Sequence, residues 1–142
     1  MKKMILLLWG LVPFGVGFLI NALLMENLIL PFKIIGIAFL LGWGLLGFLT
    51  NSNGETVVKS AVFANLPAFF VLLLILYQEK ILGHYWMNLF GIATQFFFLP
   101  LLNISFSLTF WAQHVWPAYI VSFLLMGVAF LLGGYVKKHR TK

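Results

Sequence analysis

The chain has no cysteine and no aspartate, and its single arginine is Arg140. Without cysteine there can be no thiolate metal site, disulfide, thiol nucleophile or sulfur-linked lipid. Without aspartate there is no aspartyl dyad of the intramembrane-protease kind. Charge of any sign is scarce, at 8% of 142 residues, where a soluble domain carries about 25%. The three acids, Glu26, Glu55 and Glu79, fall in or beside connectors and not in the middle of an apolar run.

In place of charge there is hydrocarbon: 63% of residues are hydrophobic and the mean hydropathy is +1.06. Such a balance excludes an ordinary water-soluble fold, and each long apolar run becomes a candidate span. The predicted fold class is an all-α integral membrane protein, a polytopic bundle of four to five transmembrane helices. It forms one transmembrane domain over residues 1–142, with an irregular or re-entrant segment near 100–116.

The spans are expected at about 4–24, 28–50, 60–78 and 117–136, with a doubtful one at 84–102. Pro13 and the glycines Gly10, Gly15 and Gly17 predict a kink in the first. That run is longer than a signal-peptide core, and Ile20-Asn21-Ala22 is a poor cleavage site, so it reads as an anchored span. Asn53-Gly54 marks a turn within the clearest loop. Leu102 to Phe110 alternates polar and apolar residues, a period of two that suggests extended chain. A lone strand cannot face lipid, because its backbone groups would go unpaired.

Net charge is +6, and Lys2, Lys3, Lys137, Lys138, Arg140 and Lys142 lie in the two tails. They read as orientation and lipid-headgroup signals. With four crossings and both tails in the cytoplasm, seven Lys and Arg lie inside and two outside. Five crossings with the C-terminus inside give six and three. The positive-inside rule therefore favours both tails inside and a cell-membrane location with a cytoplasmic C-terminus.

Polar groups within apolar runs are the candidates for solute contact: Asn65, Asn88, Gln95, Asn103, Ser105, Ser107 and His114. Desolvating each costs free energy unless it finds a partner, so interhelical hydrogen bonding is the competing expectation. Asn65 is expected to satisfy carbonyls freed where Pro67 kinks its helix. Glu79 and His84 form the acid–base pair closest in sequence, and a solvated interfacial pair is the simpler reading. His84 and His114 match no zinc spacing, so no metal or cofactor is expected. Asn103-Ile104-Ser105 matches the N-glycosylation triplet, which its apolar flanks make a coincidence.

Small residues at helical spacing, Ala61, Ala64 and Ala68, Ala38 and Gly42, Ala129 and Gly133, with Gly44 and Gly47, are expected to be helix-contact faces. No motif is specific to a family, and no basic patch suited to nucleic acid exists. The expected function is that of a non-catalytic membrane protein acting by helix packing, as an accessory or assembly subunit or a homo-oligomer. Its expected partners are the lipid bilayer and either another membrane protein or itself. The alternative is a small transporter or pore for a neutral or amphipathic solute, using the polar region 84–114.

Overall fold

The computed structural model describes residues 2–50 and 56–140. The expected turn at Asn53-Gly54, together with Glu55 and Lys142, lies outside the described residues, as does the Lys2 side chain. Those described are helical, without strands, and form a bundle in which four stretches are long and apolar enough to cross a membrane.

Helices α1 (Lys2–Trp9) and α2 (Val12–Met25) make one stretch broken at Gly10-Leu11. Pro13 sits in the first turn of α2, where its missing amide costs no helical bond. Gly10 lies against the Ala64 carbonyl and the Pro67 ring, so a side chain there would meet backbone. Helix α3 (Phe32–Thr50) begins after Pro31, not at Leu28 as expected. Proline disfavours helical geometry in the residue before it, so the chain stays extended up to that point. Helix α4 (Val57–Leu76) runs unbroken through Pro67 and continues as a π-helical turn, Tyr77–Leu82, closed by Gly83 in left-handed geometry.

The largest departure from the sequence expectation is at 102–110. This segment belongs to helix α6 (Leu99–Leu108), and only residues 109–115 are irregular. Among apolar neighbours a helix satisfies its own backbone, whereas a lone strand does not. The period-two pattern fits a helix because its polar residues form two i, i+4 sets. Ser107 Oγ donates to the Asn103 carbonyl at 2.9 Å, and Thr109 Oγ1 donates to the Ser105 carbonyl at 2.8 Å.

Helix α5 (Leu89–Phe97) precedes α6 and is bent 59° from it across Phe98. Pro100 explains the break: it cannot donate to the Phe96 carbonyl, and its ring crowds that oxygen. Helix α7 (Trp116–Arg140) completes the bundle.

Two sets of contacts fix the ends. At the tail end, Lys137 Nζ donates to the Leu49 carbonyl at 3.2 Å, Val57 packs on Gly134, and Lys3 Nζ lies 5.4 Å from the Phe63 ring centre. At the connector end, Glu79 accepts hydrogen bonds from the amides of Val115 and Trp116, each at 3.2 Å. The chain thus returns at residue 115 to the end it left at residue 79. Between these points α5 rests on α2 and α4, and α6 on α3 and α7. Phe96 touches Gly17, Ile104 touches Gly36, and Ser105 bonds Ser122. By helical rise those partners lie within about 12 Å of the connector ends of their helices. The bent pair therefore lies across one end of the bundle, short of the roughly 30 Å a crossing needs. Four stretches run its length, and the first and last described residues lie at the same end.

The core is assembled from the small faces of these helices around Trp43, Phe97, Phe98, Leu101, Met126 and Phe130. Helices α3 and α7 meet backbone to backbone: Gly47 lies on the Phe130 carbonyl and Gly133 on the Gly44 carbonyl.

The absence of cysteine makes this arrangement directly testable. Single cysteines at Lys3, Met87 (95% exposed) and Arg140 should sort into two classes towards a membrane-impermeant maleimide in intact cells. Lys3 and Arg140 should behave alike and Met87 oppositely. Opposite labelling of Lys3 and Arg140 would require an odd number of crossings.

Candidate functional site

The densest polar cluster lies at the connector end, where the π-helical turn meets α5 and α7. Gln78 is fully buried there, and its amide joins three segments. Its Oε1 accepts from the Trp86 amide at 2.9 Å, while Nε2 donates to Thr94 Oγ1 and to the Leu74 carbonyl, each at 3.3 Å. Thr94 passes its own proton to the Gly91 carbonyl at 2.8 Å. A π-helical turn offsets side chains from the α-helical stripe. Consecutive residues of this turn serve different neighbours, Gln78 towards α5 and Glu79 towards α7.

Glu79 has both carboxylate oxygens engaged. Tyr85 Oη donates to Oε2 at 2.8 Å, and Oε1 takes the two amides that open α7. An anion at a helix N-terminus is favoured both by those free amides and by the helix dipole. Lys80 Nζ sits 3.9 Å from the Trp116 ring centre, a close cation–π contact on the same turn of α7. Tyr119 packs edge-on against Phe98, ring centroids 5.9 Å apart. Burial, followed by the hydrogen bond to Glu79, pushes the Tyr85 phenol well above its ordinary value.

This arrangement clamps the π-helical turn to α5 and α7. The expected Glu79–His84 pair is not formed: Glu79 serves Tyr85 and α7, while exposed His84 lies with Nδ1 2.9 Å from the Leu82 carbonyl. Among the described residues no group of three potential metal ligands converges.

The remaining sequence candidates do not meet at one place. Asn65 accepts from Trp43 Nε1 at 3.2 Å and donates to the Ala61 carbonyl at 2.9 Å, tying α4 to α3. The carbonyl that Pro67 cannot serve is that of Phe63, and Asn65 donates to Ala61 instead, so it does not replace that bond as expected. Asn88 caps α5 by accepting the Gly91 amide at 3.0 Å, and Gln95 donates to the Gly91 carbonyl at 3.3 Å. Ser105 and Ser122 share a buried hydrogen bond of 2.7 Å between α6 and α7. Ser107 and His114 are exposed, and Asn103 Oδ1 is buried without a hydrogen-bond partner. Lys137, Lys138 and Arg140 end α7 as a basic final turn.

Sequence reasoning passed over Gln78, Tyr85, Thr94, Tyr119 and Ser122. Gln78 ends an apolar run and reads as a boundary; only its pairing across 16 residues with Thr94 gives it meaning. No family model, curated protein or solved structure matches the chain.

Glu79→Ala should leave two amides and a phenol without their acceptor, lowering stability by about 1–3 kcal/mol in detergent-solubilised unfolding. Glu79→Gln, which keeps an acceptor oxygen, should lose less; equal losses would remove hydrogen bonding as the cause. The raised value of Tyr85 means that folding favours its neutral form. Its contribution is complete below the unfolded value of about 10 and is lost as pH rises beyond it. Wild type should therefore lose stability more steeply than Tyr85→Phe above pH ~10, and parallel profiles would contradict this assignment.

Proposed function

We propose that this protein is an integral membrane component that acts through helix contacts, as an accessory or assembly subunit or as a homo-oligomer, without catalytic chemistry of its own. Membrane insertion is supported by four apolar stretches whose outward residues include Ile34, Leu41, Phe70, Val128 and Leu132, all exposed. A seven-to-two distribution of Lys and Arg, for four crossings with the tails together, favours cytoplasmic tails in a cell membrane.

The observation that carries the reading is a small-residue face that the chain does not use itself. Gly44 and Gly47 of α3 are taken up by α7, but Gly42, on a different face of the same helix, has open space where a side chain would begin. Ala38, one turn earlier, is exposed, and Gly15 on α2 is likewise open. Gly42 lies in an apolar groove of about 340 Å³ between α2 and α3, walled by Val12, Val16, Phe39 and Leu45. In lipid, helix association gains from close backbone approach over small residues, which is what such a groove offers an incoming helix. Asn65, Asn88, Gln95 and Ser105 spend their hydrogen bonds within the bundle. This favours packing over a solute path lined by the same groups.

Two glycine substitutions separate assembly from folding. Gly42→Leu should leave the unfolding temperature near wild type while abolishing self-association or the co-purifying partner in mild detergent. Gly133→Leu would drive a side chain into the backbone of Gly44 and Phe48, and should cost about 1–3 kcal/mol of stability. A wild-type protein that is strictly monomeric and carries no other protein would overturn the reading.

A further inference from the structure

We propose that the groove between α3 and α7 seats one acyl chain of an anionic phospholipid, whose headgroup is held by the basic end of α7. The groove is about 670 Å³, with Gly44 and Gly133 among its lining residues, and it adjoins the α2–α3 groove assigned above to a partner helix across Leu45, which lines both. It reaches from Ile37 and Leu125 to Phe48 and Val136, a length of about 16 Å by helical rise. Half of a hydrocarbon core of ~30 Å is about the same length, so the groove matches one leaflet.

Its two ends differ in chemistry. The Ile37–Leu125 end lies among apolar side chains partway along both helices. The Val136 end runs directly into Lys137, Lys138 and Arg140. Lys137 Nζ is already held at this mouth by the Leu49 carbonyl at 3.2 Å, 6.0 Å from the ring centre of Phe48, itself a groove residue. Cations at the cytoplasmic surface attract anionic lipid headgroups, and an apolar slot one leaflet deep beside them accommodates the attached chain. A second copy packed in parallel would instead bring the same cations together, which like-charge repulsion opposes.

The proposal rests on membrane insertion, which carbonate extraction tests by itself: release into the soluble fraction would end that reading before any lipid question arises. For the groove, the full chain in detergent is titrated with dioleoyl phosphatidylglycerol or dioleoyl phosphatidylcholine, and retained lipid is counted by native mass spectrometry. Wild type should retain one phosphatidylglycerol with roughly tenfold preference over phosphatidylcholine. Combined Lys137→Gln, Lys138→Gln and Arg140→Gln should bring that ratio to about one. Leu41 lies on the groove wall and is 71% exposed, so Leu41→Trp should block the slot without disturbing the core. It should lose the retained phosphatidylglycerol at an unchanged unfolding temperature. Three results would overturn the proposal: equal retention of both lipids by wild type, wild-type retention by Leu41→Trp, or a wild-type dimer that carries no lipid.

Discussion

In a chain that is apolar both inside and on most of its surface, every backbone amide and carbonyl must be satisfied from within the chain, and the rest of the structure follows from that constraint. Helices satisfy it along their length and fail it at their ends and at prolines. Two polar side chains accordingly serve helix starts. Asn88 completes the first turn of α5, and Glu79 reaches across from the preceding stretch to complete that of α7. Where Pro100 withholds a proton from the Phe96 carbonyl, Gly17 brings its Cα against that oxygen. The same geometry recurs where Gly47 meets the Phe130 carbonyl and Gly133 meets that of Gly44. Cα–H to carbonyl contacts are individually weak, but they recur at close helix crossings and need a residue without a side chain.

Much of the fold was legible because lipid-length hydrophobic runs are a strong signal, and the long stretches fall where composition put them, within a few residues. The period-two pattern of 102–110 misled for a specific reason. Polar residues at 103, 105, 107 and 109 satisfy a strand template and also form two helical pairs, and periodicity alone cannot separate the two. What decides is environment: Ser105 faces Ser122 across α7 while Ser107 is exposed. Charge counting could not decide whether 84–102 runs the bundle, since one lysine or arginine separated the leading arrangements. The decision lies in the Glu79–Trp116 contact, which joins residues 37 apart in sequence.

The candidate site was legible in composition and not in membership. Sequence logic correctly drew attention to polar residues within apolar runs but treated residues at run boundaries as solvated. Gln78 and Glu79 lie at such a boundary, and a single π-helical turn directs them into the protein. Small residues are ambiguous in the same way, since Gly42 and Gly44 look equivalent in the sequence while Gly44 meets α7 and Gly42 faces open space.

The two ends of the bundle are consequently held by different forces. At the connector end, α4, α5 and α7 are joined by directional bonds through Gln78, Glu79 and Tyr85, whose strength depends on protonation and on exclusion of water. Towards the tail end, α3 and α7 are joined mainly by shape: glycines meet backbone, with dispersion as the attraction, and Lys137 adds a hydrogen bond to the Leu49 carbonyl at the rim. Dispersion falls off steeply with separation, so added volume at Gly47 or Gly133 acts on that end. Helix α7 spans both regimes, its first amides on Glu79 and its later turns on Gly44 and Gly47.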